Sequence, residues 1–134
     1  MSVTQPTLLE APVSWVRVLP GYHISQRRGV SSIAEISRSG RLLLRLARLP
    51  EATAGLDPHQ VVELVDAVRD RQPGRWSVWN PVVGVAALVL HIEDHDYVTL
   101  SLDGAGVPDW QIRFGRDRVD HLADVLADAA DHLY

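Results

Sequence analysis

Residues 97–126 read YVTLSLDGAGVPDWQIRFGRDRVDHLADVL, with Tyr97 first and Leu126 last. The run opens with alternating side chains, breaks at Asp103-Gly104 and resumes from Trp110 to Phe114. Its period then changes from two to nearly four, which sets Val119, Leu122 and Leu126 on one helical face. The local prediction is two strands followed by a helix. An earlier stretch shows the same pattern. Ile36, Leu42, Leu44 and Leu46 match Ile92, Val98, Leu100 and Leu102 at an offset of 56. Leu56, Val61, Leu64, Asp66, Val68 and Asp70 then match Phe114, Val119, Leu122, Asp124, Leu126 and Asp128 at an offset of 58. Two extra loop residues in the second copy account for the change. Any hairpin followed by a helix in a chain rich in Ala, Val and Leu would align this well. The pairs Asp66/Asp124 and Asp70/Asp128 favour a repeat, because apolar patterning alone does not require them.

Outward from this core, the first helix has the clearest start signal. Asp57 is an N-cap, Pro58 suits the first helical position, and Gln60 completes a capping-box pattern. Val61, Leu64, Val65 and Val68 form its apolar stripe, and Pro73-Gly74 ends it. Upstream, Val13 to Leu19 reads as a short strand closed by the Pro20-Gly21 turn signal, and Tyr22 to Arg28 as another extended piece. Val30 to Ser37 and Arg41 to Arg48 form a hairpin at Ser39-Gly40. Downstream, Arg75 to Pro81 is turn-rich and carries Trp76 and Trp79. Val82 to Ile92 reads as a strand buried on both faces. The last helix covers Arg116 to Leu133, with Val119, Leu122, Leu126, Ala129 and Leu133 toward the core. The expected organisation is a loose tail over 1–12, then one α+β domain over 13–134. That domain is an antiparallel sheet or sheets with two helices, as tandem pseudo-repeats of strands followed by a helix, 13–74 and 75–134.

Composition narrows the function classes. With 46% hydrophobic and 22% charged residues, the 134-residue chain has a globular profile rather than a disordered one. Cysteine is absent, which excludes disulfides, thiolate nucleophiles and zinc–thiolate sites together and suits a reducing, cytoplasmic setting. Met1 to Glu10 shows no basic region followed by an apolar one, so no signal peptide is expected. The longest apolar run, Val82 to Leu90, falls short of the roughly 20 residues that cross a bilayer, so no membrane partner is expected. All 13 basic residues are arginine, as in chains from GC-rich bacterial genomes. Residues 1–50 hold seven arginines against two acids, net +5, while 51–134 hold six against fifteen, net −9. Such asymmetry marks either a basic binding face or two halves that attract each other within a fold or a dimer.

Four antiparallel strands followed by a helix, twice over, resembles the Whirly, Pur-alpha and transcriptional-coactivator superfamily of single-stranded nucleic-acid binders. The stretch from Tyr97 is similar in layout to the second hairpin and helix of a Pur repeat. Trp110 to Asp117 (WQIRFGRD) is also similar to actinobacterial sporulation regulators of that fold, which act through protein partners. The resemblance covers most of the chain and implies a non-enzymatic binding role.

Three sets of residues carry candidate chemistry. Single-strand binders combine phosphate-tracking cations with aromatic faces on which bases stack. Trp15, Arg17, Tyr22, Arg27, Arg28, Arg41, Arg45, Trp76 and Trp79 fit that description, with His23 and Arg75 beside them, and Arg41 and Arg45 share one side of a strand. His91, Glu93 and His95, with Asp94 and Asp96 nearby, have strand spacing for a divalent metal, but the predicted turn there spoils the geometry. No G-x-S-x-G elbow, H-E-x-x-H or phosphate-binding glycine loop occurs, and no cofactor is indicated. Asp120, Asp124, Asp128 and Asp131 lie near one face of the last helix, as a solvated face or as a dock for a basic partner, including a second copy of the chain. The leading expectation is a cytoplasmic nucleic-acid-binding regulator with single-strand preference. The rival is a protein–protein interaction adaptor or oligomeric regulator without nucleic-acid contact, and a homo-oligomer is expected on either reading.

Overall fold

Alternation with period two runs through most strands of the computed structural model, which describes residues 15–94, 96–107 and 110–134. The tail expected over 1–12 lies outside the described residues. The protein is α+β. Four strands come first: β1 (Val16–His23), β2 (Arg28–Ile36), β3 (Leu42–Arg45) and β4 (Thr53–Leu56), with two 3-10 turns, Leu46–Arg48 and Pro50–Ala52, before β4. Helix α1 (Pro58–Asp70) follows. Then come β5 (Gly74–Asn80), β6 (Gly84–Asp94), β7 (Tyr97–Asp103), β8 (Trp110–Gly115) and helix α2 (Asp117–Leu133). All eight strands form one antiparallel barrel in sequence order, β8 closing onto β1. Four strands therefore precede each helix.

Inward positions fill the barrel. Leu19, Ala34, Leu44, Leu88, Leu100 and Phe114 are among the fully buried side chains, with Val61, Leu64, Val68, Val119, Leu122 and Leu126 from the helices in the same cluster. Helix α1 starts as its sequence signal requires. The Gln60 amide donates to Asp57 Oδ1 at 2.8 Å, and the Asp57 amide donates to Gln60 Oε1 at 3.0 Å.

Three sequence expectations are corrected. Pro20-Gly21 does not turn the chain: β1 runs straight through it, and the turn comes at 24–27, where Arg27 has φ 55°. Pro20 is tolerated because β1 meets β8 only at Tyr22 and His23, so its missing N–H faces no ladder on that side. The turn-rich stretch over Arg75 to Pro81 is mostly strand β5, paired with β6 from Gly74 to Asn80. Finally, β6 is buried on one face only. Ala86, Leu88 and Leu90 point inward, while Val85 and His91 are exposed, because a single-layer barrel offers no second cover.

The barrel is tightly laddered everywhere except at two seams. β4 and β5 share one residue pair, Gly55–Trp79, and β1 and β8 share two, Tyr22–Arg113 and His23–Ile112. Both seams pass through a glycine. A Cβ on Gly21 would lie 2.6 Å from Ile112 Cγ2, and one on Gly55 would lie 2.9 Å from Trp79 Cε3. The helices pack on each other and on these openings, α1 against β4 and β5, and α2 against β1 and β8. Each helix also supplies a donor to an unpaired strand carbonyl. Gln60 Nε2 donates to Ser77 O at 2.6 Å, and His121 Nε2 donates to Val18 O at 3.3 Å. Covering an open edge with a helix satisfies groups that would otherwise recruit a foreign strand. Asn80, fully buried, stitches the β4–β5 seam further: its Nδ2 donates to Glu51 O and Thr53 O, and its Oδ1 accepts from the Val82 and Val83 amides.

Candidate functional site

The β1–β8 seam gathers aromatic and cationic side chains that lie far apart in sequence. Tyr22 projects outward from β1, Tyr97 from the start of β7, and Arg113 from β8 between them. The Arg113 guanidinium lies 6.0 Å from the centroid of Tyr22 and 5.7 Å from that of Tyr97. Both rings remain 36% exposed. With Gly115, Arg116 and Arg118 these residues line an open cleft of ≈350 Å³. Arg118, in the first turn of α2, also lines a second cleft of ≈270 Å³ with Pro20, Gly21, Gly29, Val30 and Ser31. The two clefts share Arg118 and together form a track that leads from the β1–β8 seam onto the β1–β2 ladder.

The electrostatics of this track are mixed. Arg113 pairs with Glu93 at 3.1 Å, and Arg116 with Asp96 at 3.5 Å. The Arg116 backbone is held at φ 45°, ψ −114° while its amide donates to Asp96 O. Among the described residues Arg118, Arg27 and Arg28 have no carboxylate partner; Arg28 Nε donates to Gln26 Oε1 at 2.8 Å. Arg28 lies opposite His23 in the β1–β2 ladder and so shares its side of the sheet, at the barrel rim one step from the Tyr22–Gly29 pair, and Arg27 precedes it in the turn. His23 itself is fully buried, edge-on to Trp110 at 5.2 Å, with its Nδ1 accepting from the Gln26 amide at 3.4 Å. Burial, and then the Arg28 charge, hold its pKa below the usual histidine value.

The other sequence-nominated residues divide by location. Trp15 is buried, its Nε1 donating to Asp128 Oδ2 at 2.8 Å, so its ring offers no stacking face. Arg17 lies 4.9 Å from the Trp15 centroid and pairs with the same carboxylate at 3.1 Å. Trp76 and Trp79 fall on opposite faces of β5. Trp76 turns inward and donates to Glu63 Oε1 at 3.0 Å, whereas Trp79 faces outward, 39% exposed. Arg41 lies 5.7 Å from the Trp79 centroid, and Arg45 is paired with Glu35 at 2.6 Å. The structure thus brings Tyr22, Arg27 and Arg28 together at one seam and Arg41 and Trp79 together at the other, with Trp15 and Arg17 set against α2.

The acidic helix is largely answered from within. Asp120 faces Arg71 at 4.0 Å, Asp124 faces Arg69 at 3.7 Å, and Asp128 takes Trp15 and Arg17. The Trp15 hydrogen bond, aided by His132 and Arg17, holds the Asp128 carboxyl below the usual carboxylate range. Asp131 has no ion pair among the described residues. On β6, Glu93 accepts from Thr99 Oγ1 at 3.0 Å, and His91 Nε2 lies 3.4 Å from Ser101 Oγ. His95 lies outside the described residues, and among those described no three His, Cys, Asp or Glu side chains converge on a common point.

Sequence reasoning missed Tyr97, Arg113, Arg116 and Arg118. Their signal was present in the run R-F-G-R-D-R, three arginines within six residues, but summing charge by halves drowned it under the acids around it. No family model, curated protein or solved structure matches the chain. Among the described residues no helix is long and apolar enough to cross a membrane.

Proposed function

We propose that this is a non-enzymatic regulatory protein of the cytoplasm that binds single-stranded nucleic acid along the β1–β8 seam. The supporting observation is the pair of clefts that share Arg118, where two half-exposed tyrosines lie beside arginines, with Arg27 and Arg28 at the adjoining barrel rim; among the described residues Arg118, Arg27 and Arg28 have no carboxylate partner. Base stacking on Tyr22 and Tyr97 supplies a sequence-tolerant contact, and Arg118, Arg27 and Arg28 meet successive phosphates. Arg113 and Arg116, tied to Glu93 and Asp96, orient the ring faces and the cleft wall rather than supply net charge. Both clefts are open to solvent, which suits an extended strand better than an enclosed small molecule.

Anisotropy of a labelled dT20 oligonucleotide at about 50 and 200 mM salt tests the reading. Three phosphate contacts, each contributing a slope of about −0.7 on a single strand, weaken binding roughly 20-fold over that range. Arg118→Ala is expected to lower the slope by a little under one. Absence of binding at the lower salt refutes the proposal. A second reading, a protein-interaction module, is favoured by Val16 and Val18, each 47% exposed on the outer face of β1. An interface centred there keeps its affinity across the same salt range, since its core is apolar.

A further inference from the structure

The second seam repeats the geometry of the first with its parts redistributed. At the β1–β8 seam, Tyr22 of β1 pairs with Arg113 of β8, and Tyr97 flanks them from the start of β7. At the β4–β5 seam, Trp79 of β5 pairs with Gly55 of β4, and Arg41 flanks them just ahead of β3. The positions correspond along the chain: Arg41 to Tyr97 at the offset of 56, and Gly55 to Arg113 at 58. One seam thus places an arginine between two aromatic rings. The other places an aromatic ring over a glycine with an arginine at its side.

Gly55 decides what Trp79 can do. Without a Cβ, β4 lets the indole lie directly on the backbone, where any larger side chain would meet Cε3. The ring is thereby held by the sheet on one side and left 39% exposed. Its Nε1 makes no hydrogen bond among the described residues, in contrast to Trp15 and Trp76, whose indole nitrogens are both bonded to carboxylates. Arg41 has no carboxylate partner among the described residues and places its guanidinium 5.7 Å from the ring centroid. An aromatic ring fixed in place, with an uncompensated cation at its margin, has the chemistry of a base-and-phosphate contact.

We infer that the β4–β5 seam is a second single-strand contact, in which a nucleobase stacks on Trp79 and the adjoining phosphate is met by Arg41. The inference rests on the proposed nucleic-acid function and extends it from one track to two, one on each seam of the barrel.

Tryptophan emission, with Trp79→Phe as the control, separates this inference from the reading beneath it: no tryptophan lines the β1–β8 clefts, Trp15 is buried, and any signal from Trp110, packed on His23, survives in that variant. The experiment titrates unlabelled dT20 into the full chain while following emission, and labelled dT20 by anisotropy, for the wild type, Trp79→Phe, Trp79→Ala, Arg41→Ala and the pair Tyr22→Ala/Arg118→Ala. Quenching should accompany binding in the wild type and disappear in Trp79→Phe, whose smaller ring still stacks and whose affinity falls less than that of Trp79→Ala. Trp79→Ala should bind about fivefold or more weakly, and Arg41→Ala should bind less well at low salt. The Tyr22→Ala/Arg118→Ala protein should bind weakly overall yet still be quenched at saturation. Unchanged melting temperatures exclude a folding defect. Binding by anisotropy with no change in emission overturns the second contact and leaves the first standing. No binding in either channel overturns both. Concentration-dependent dimerisation abolished by Trp79→Ala, without an effect of dT20, assigns the patch to self-association and also overturns the inference.

Discussion

Replacing Gly21 with alanine tests the packing that closes the barrel. The added Cβ would sit 2.6 Å from Ile112 Cγ2, 3.1 Å from Arg113 O and 3.2 Å from Phe114 Cε1. Ile112 and Phe114 are core side chains held on both sides, and the carbonyl belongs to the β8 backbone, so relief requires β1 and β8 to move apart. Overpacking of this kind costs about 1–3 kcal/mol. The loss of glycine freedom in the unfolded chain offsets about 0.4–1 kcal/mol of that. The net destabilisation is roughly 1–2 kcal/mol, a fall of about 3–8 °C in melting temperature for a domain of this size. Gly29, on the adjacent strand, is the control. Its nearest neighbour would be Gly21 O at 3.9 Å, ordinary contact, so Gly29→Ala should gain the unfolded-state benefit and melt slightly above wild type. Thermal unfolding followed by far-ultraviolet circular dichroism reads both. The Gly21→Ala protein should also bind dT20 less well, because displaced β8 carries Arg113 away from Tyr22. A Gly21→Ala protein that melts at or above the wild-type temperature refutes the closure argument.

Two further outcomes follow from the buried ring and the buried indole. His23 titrates below the usual 6.5 in the folded chain, so the unfolded chain binds more protons near that pH. Its contribution is therefore complete above about pH 6.5 and is lost as pH falls. Urea unfolding at about pH 7.5 and 5.5 should show a smaller loss of stability in His23→Gln than in wild type, and equal losses would remove His23 from the account. Trp15→Phe keeps most of the burial and removes the hydrogen bond to Asp128, so it should melt below wild type. It should also shallow the decline in stability below about pH 4, where the depressed Asp128 carboxyl becomes protonated; an unchanged acid limb would count against the Trp15–Asp128 coupling.

Local chemistry was legible in the sequence wherever a few adjacent residues decide the outcome. Asp57-Pro58 with Gln60 specified the start of α1, the Ser39-Gly40 turn specified the β2–β3 hairpin, and helical spacing identified both buried helix faces. β4 was invisible because Thr53 to Leu56 is short and buried at every position, so it shows neither alternation nor a helical stripe. Pro20-Gly21 misled because a turn signal is a local preference, and here the long ladder with β2 overrides it. Part of the candidate site was readable. Tyr22, Arg27, Arg28, Arg41 and Trp79 were nominated as residue types, but their division between two seams depends on which strands close the barrel, a non-local fact. The same limit hid the burial of Trp15, since its partner Asp128 lies at the other end of the chain.

The order of the strands has a consequence for how the chain reaches this structure. Nearly every ladder joins neighbours in sequence, so most of the sheet can zip up through short loops at little entropic cost. Closure of β1 on β8 is different. It brings together the two ends of the barrel across the whole span from Tyr22 to Arg113, rewards that with two residue pairs, and belongs among the last events in folding. A strand lying in the track would bridge both sides of this late closure, so occupancy should slow the opening of the barrel as much as it fills a groove.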